Sequence, residues 1–138
     1  MKDVLLNPLL DGYALYSIYA SMALYTVAFL TFVWQLSRLS STDKKLRKTA
    51  GQLEIAGLSI TVLAFLFHGA GTVMRGIAAS RVPWANMYEF SVSGSLVIVC
   101  IFLAAWFVKD IRVIAVLVTG FALLVLGSAT TLFYVQVK

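Results

Sequence analysis

Charge interrupts this chain at only a few places, and the gaps between them decide what it can fold into. Uncharged stretches run from Gly12 to Ser37, from Ile55 to Met74, from Phe90 to Val108 and from Val113 to Val137. They are 26, 20, 19 and 25 residues long. A helix rises about 1.5 Å per residue and needs about 20 residues to cross roughly 30 Å of hydrocarbon. Each run is therefore long enough to span a bilayer. Each is expected to be helical, because an isolated strand in lipid leaves its backbone donors and acceptors unpaired. Composition excludes the other classes. The 138 residues are 61% apolar (AVILMFWYC) and 12% charged, against about 25% charged in a soluble domain. A soluble fold of this size cannot bury so much apolar surface, and disordered chains are poor in apolar residues. The expected fold class is an all-α integral membrane protein. Its four transmembrane helices are expected at about 12–37, 54–75, 89–108 and 113–136, in a single membrane domain. Asp3 and Asp11 precede the first run, which is also too long for a cleaved signal segment.

Four spans place both termini on one side. The connections 38–54 and 109–112 carry Arg38, Lys44, Lys45, Arg47, Lys48, Lys109 and Arg112, while the opposite side has Lys2, Arg75, Arg81 and Lys138. The positive-inside rule puts the termini and the 75–89 loop outside a plasma membrane, as a multi-pass protein. Aromatic residues mark the same boundaries: Tyr13, Tyr16, Trp84, Tyr88 and Tyr134 outside, Trp34 and Trp106 inside. The clustered cations read as orientation and lipid contact, not nucleic-acid binding. Segment Ser40–Lys48 reads as a solvated loop with a helical turn capped by Ser41 or Thr42. Gly69-Ala70-Gly71 reads as a turn ending the second span. Ser17 with Ser21, Ser91 with Ser95, and Gly120 with Gly127 are small-residue pairs suited to close helix packing. Cys100 lies alone in an apolar run and reads as a small hydrophobe.

Catalytic equipment is sparse: one His, one Cys, no phosphate-binding glycine loop and no metal-ligand cluster, so no catalytic residue is assigned. Two features stand out. His68 is expected to be the only titratable group well inside a span, in the outer half of the bilayer. An ionisable group there is expensive and is a functional candidate by default. A neutral imidazole can ligate a haem iron or carry a proton; it can equally be a hydrogen bond between helices. The second feature is the outer segment from Arg75 to Phe90. Pro83 disfavours helix at Val82, Asn86 can cap the next helix, and Glu89 in its first turn suits the helix dipole. Its plain reading is a well-made helix start. Its density of Arg, Trp, Asn, Tyr and Glu also suits recognition, and Arg75 and Arg81 suit carboxylates such as haem propionates.

The segment Arg81-Val-Pro-Trp-Ala-Asn-Met-Tyr-Glu-Phe closely resembles the xxPxxNxYE segment of the CcsA/ResC family of cytochrome c biogenesis proteins, called CcsB in actinobacteria. The match falls on Pro83, Asn86, Tyr88 and Glu89, with Trp84 between them. The preceding stretch Leu63–Gly76 resembles the span that leads into it in the actinobacterial members. The resemblance implies a subunit that handles haem b and presents it outside for attachment to the CxxCH of apocytochrome c, beside a ResB/Ccs1-type membrane partner. Family members use intramembrane histidines, which makes His68 the candidate haem iron ligand here. Family members are about twice this length and carry a tryptophan-rich external segment flanked by histidines. This chain has only Trp34, Trp84, Trp106 and His68, so it is expected to be the N-terminal portion of a longer protein. Two other classes stay open: a non-catalytic accessory subunit of a respiratory complex, and a small transporter.

Overall fold

The computed structural model describes residues 2–39, 42–79, 87–108 and 112–133. Its elements are α1 (Lys2–Leu39), α2 (Lys44–Ala79), α3 (Met87–Trp106) and α4 (Arg112–Ser128), with a π-helical turn, Ala129–Phe133, continuing α4. All four helices include a stretch long and apolar enough to cross a membrane: Leu9–Arg38, Lys44–Ala78, Met87–Trp106 and Ile114–Leu132. They pack in a ring, α1 against α2 and α4, α3 against α2 and α4, with α1–α2 the most extensive interface.

The buried positions repeat with a period that no charge count displays. In α1 they are Asp11, Ala14, Ile18, Ser21, Tyr25, Ala28, Phe32 and Gln35, separated by alternating steps of three and four. In α3, Tyr88, Val92, Ser95, Val99 and Phe102 follow the same rule, as do Ala115, Thr119, Ala122, Leu126 and Ala129 along α4 and its π turn. An average step of 3.5 is the seam of a left-handed coiled bundle, with helices crossing at about 20°. The seam is where the polar residues lie. Thr61, His68, Thr72 and Arg75 line it on α2, whereas Leu124 is 72% and Phe90 64% exposed on the outer surface. Polar groups inside and apolar groups outside are the arrangement expected when lipid is the solvent.

Most seam hydroxyls are satisfied within their own helix. Thr61 donates to Gly57 O at 2.8 Å, Thr119 to Ala115 O at 2.8 Å and Ser21 to Ile18 O at 2.6 Å. These residues therefore act as small packing groups that need no partner across the interface. Thr130 and Thr131 donate to Leu126 O at 2.9 Å and Gly127 O at 2.7 Å. Those carbonyls would bond the N–H groups four residues on in a regular α-helix, and the helix widens there into the π turn.

Three expectations are corrected. First, the helices overrun the uncharged runs: α1 begins at Lys2 and α2 at Lys44. Charge ends an apolar run, but backbone hydrogen bonding carries the helix on past it. The cationic segment from Lys44 is thus helical, and its cap is Asp43, whose Oδ1 accepts from Lys45 N at 2.9 Å. Ser41 lies outside the described residues. Second, Gly69-Ala70-Gly71 is helix, not turn. A Cβ on Gly71 would stand 2.8 Å from Ile18 Cδ1 and 3.0 Å from Ala14 O. The glycine lets α1 and α2 touch. Third, the Tyr88 side chain, expected among the boundary aromatics, turns into the bundle and is buried. The pairing of Gly120 and Gly127 holds: they face Phe29 and Met22 of α1.

At the other end of the seam Gln35 is fully buried, and neither its Nε2 nor its Oε1 has a hydrogen-bond partner. An orphaned buried amide is destabilising by about 1–3 kcal/mol. Gln35→Leu is therefore expected to raise the melting temperature in detergent. A lower melting temperature would mean that the amide is hydrogen-bonded in the folded bundle.

Candidate functional site

Two polar layers occupy the seam near the end formed by the start of α1, the end of α2 and the start of α3. The outer layer is built on Arg75. Its Nη1 lies 2.8 Å from Asp11 Oδ1 and its Nε 3.0 Å from Glu89 Oε1. The three side chains are at most 4% exposed. The guanidinium also lies over the Tyr88 ring, 5.1 Å from its centroid. A planar guanidinium can meet two carboxylates on different edges while its face rests on an aromatic ring, which a lysine cannot do. The centre draws on three helices: Asp11 from α1, Arg75 from α2, Tyr88 and Glu89 from α3.

The inner layer is His68, two turns below Arg75 on the same face. Its Nδ1 is 3.0 Å from the Tyr25 hydroxyl and its Nε2 2.9 Å from Val92 O. A carbonyl only accepts, so Nε2 carries the proton and Nδ1 accepts from Tyr25. The imidazole is thus a neutral bridge joining α1, α2 and α3. Ser95 Oγ approaches Nε2 to 3.4 Å, and the Tyr25 and His68 rings meet edge to face at 5.8 Å between centroids. Between the layers Thr72 donates to His68 O at 2.8 Å.

His68 lies inside a span as expected, but it is not the sole titratable group there, since Asp11, Arg75 and Glu89 are buried with it. The reason is pairing: two carboxylates and one guanidinium in contact tolerate an environment that none of them tolerates alone. A haem iron needs an imidazole nitrogen with a free lone pair, and in this packing Tyr25 and Val92 engage both nitrogens of His68. Arg75, expected to meet haem propionates, instead meets the protein's own Asp11 and Glu89. The residues as packed do not fit haem ligation. Glu89 lies in the first turn of α3 as expected. Arg81, Pro83, Trp84 and Asn86 lie outside the described residues.

Sequence reasoning missed Asp11, which it treated as a boundary. The signal was available: Asp11, Ile18, Tyr25 and Phe32 are seven apart, a spacing that puts the carboxylate on the buried stripe. Among the described residues no three His, Cys, Asp or Glu side chains converge as a metal site. Comparison with protein-family models, with curated proteins and with solved structures gives no match to this chain.

Proposed function

We propose that this chain is a membrane subunit of c-type cytochrome maturation, whose helices hold an outer segment that takes part in haem delivery. The observation that carries the reading is the fate of that segment's last residues. Tyr88 and Glu89 are drawn into the bundle onto Arg75, which is also held by Asp11. Arg75 and Glu89 flank residues 80–86, so both ends of the segment are tied to one buried centre. A charged centre is costly in an apolar bundle and marks a functional region by default. In this reading haem is cargo, the segment is presented on the outer face, and His68 and Arg75 are scaffold rather than haem ligands. Cation counting supports the outward placement. Arg75 is neutralised inside the bundle, which leaves Lys2, Arg81 and Lys138 against seven on the other side. A ResB/Ccs1-type subunit and apocytochrome c would be the partners.

The structure redirects the test. Replacing Tyr88 or Glu89 disturbs the buried centre and so reports on folding. Trp84 and Asn86, in the segment itself, are the residues to change. The complete gene product is expressed in a host whose cytochrome c maturation depends on it, and haem-stained cytochrome c is measured together with the amount of membrane-inserted protein. Asn86→Ala and Trp84→Ala are expected to lower mature cytochrome c by about tenfold, the equivalent of one or two lost polar contacts, at unchanged protein level. Unaltered maturation in both variants would overturn the reading in favour of a purely accessory membrane subunit.

A further inference from the structure

The inner ends of α1 and α2 carry a surface that the proposed function does not use. α2 has 36 residues, about 54 Å of helix, whereas hydrocarbon accommodates about 20 residues. Its uncharged stretch Ile55–Met74 fills that thickness. Lys44–Glu54, eleven residues or about 16 Å, then stands beyond the hydrocarbon. Lys44, Lys45, Arg47 and Lys48 are all exposed on these turns.

The register of α1 against α2 shows what lies beside them. Gly57 sits against Phe32 and Gly71 against Ile18; each pair sums to 89. By the same sum Trp34 is level with Ile55, at the hydrocarbon edge, and Arg38 with Gly51, one turn further out. Trp34 is 52% exposed, and the Arg38 guanidinium is 5.8 Å from its ring centroid. The layers therefore run from exposed Leu30, through an indole level with exposed Ile55 and a guanidinium above it, to a cluster of lysines. Residues 38–54 contain five cations against Asp43 and Glu54, a net charge of +3, and one Asp43 oxygen caps α2.

We propose that Arg38 and the cationic first turns of α2 form a docking surface for the anionic phosphodiester headgroups of the adjacent leaflet. The surface is continuous with the exposed apolar sides of the same two helices, which carry Leu30 and Ile55. Long lysine stems reach back toward the phosphate plane. Attraction near an anionic leaflet is worth roughly a fivefold change in affinity for each cation that reaches it, and it falls within a Debye length. Continuity with the lipid-facing surface favours a lipid over an acidic protein as the occupant.

Trp34 supplies the readout. The full chain is placed in phosphatidylcholine nanodiscs containing brominated phosphatidylglycerol or, at equal mole fraction, brominated phosphatidylcholine. The tryptophan quenching lost in Trp34→Phe is then compared between the two. Quenching by the anionic lipid is expected to indicate at least about fivefold preferential occupancy, declining as salt is added. Combined Lys44→Gln, Lys45→Gln, Arg47→Gln and Lys48→Gln is expected to remove most of the preference with an unchanged melting temperature. Arg38→Gln, with α2 intact, is expected to lower it partly. Equal quenching by the two lipids at low salt, or a preference that survives neutralisation of all five cations, would overturn the proposal.

Discussion

Replacing Arg75 with methionine will unfold this bundle more readily than any other single loss of charge among the described residues. The substitution keeps most of the side-chain length and removes the guanidinium that lies 2.8 Å from Asp11 and 3.0 Å from Glu89. Both carboxylates then remain buried without the cation that offset their desolvation. Breaking a buried ion pair from one side costs about 3–5 kcal/mol, and the stacking over Tyr88 is lost as well. Thermal unfolding in detergent should fall by about 10 °C or more. The informative control removes all three charges. Asp11→Asn, Arg75→Met and Glu89→Gln together are expected to recover most of the lost stability, because replacing a whole buried ionic group is often neutral or better. A single Arg75→Met variant that melts like the parent would mean that the centre is open to water.

A side chain at Gly71 is expected to have the second large effect. Gly71→Val introduces a branched Cβ where the nearest atoms are Ile18 Cδ1 at 2.8 Å and Ala14 O at 3.0 Å. The end of the Ile18 side chain can rotate, but the Ala14 backbone carbonyl cannot, so α1 and α2 must separate. Overpacking of this kind costs about 1–3 kcal/mol, occasionally more. The harm spreads, because moving α1 also pulls Asp11 from Arg75 and Tyr25 from His68. Gly71→Val should therefore lower the melting temperature, and Ile18→Ala should restore only part of it. Gly94 and Gly51 have nothing within 4 Å of an added Cβ, so their alanine variants are expected to melt with the parent protein. If Gly71→Val does the same, α1 and α2 are not in this contact.

Much of the candidate site was legible residue by residue, but its assembly was not. His68 announces itself as a lone imidazole in a long apolar run, where an ionisable group is costly. Its two partners do not, since the Tyr25 hydroxyl and the Val92 carbonyl lie 43 and 24 residues away. In the sequence Arg75 reads as a partner for haem propionates and Glu89 as part of a helix start and a family motif; that they meet each other and Asp11 appears only when the helices pack. The resemblance that drew attention to Tyr88 and Glu89 concerns an outer segment, yet these two side chains point back into the bundle.

The number and helical nature of the spans follow from the sequence alone. Both rest on local physics: every backbone polar group in lipid must be paired within its own helix, and runs of about 20 uncharged residues admit one way of doing so. Which face of each helix turns inward is a different question. Lipid is as apolar as leucine, so apolar side chains gain little by choosing the interior. Polar pairing and close backbone approach make the choice instead, through Arg75 with Asp11 and Glu89, His68 with Tyr25, and Gly71 beneath Ile18. These are contacts between residues far apart in the chain, and only the folded bundle brings them together.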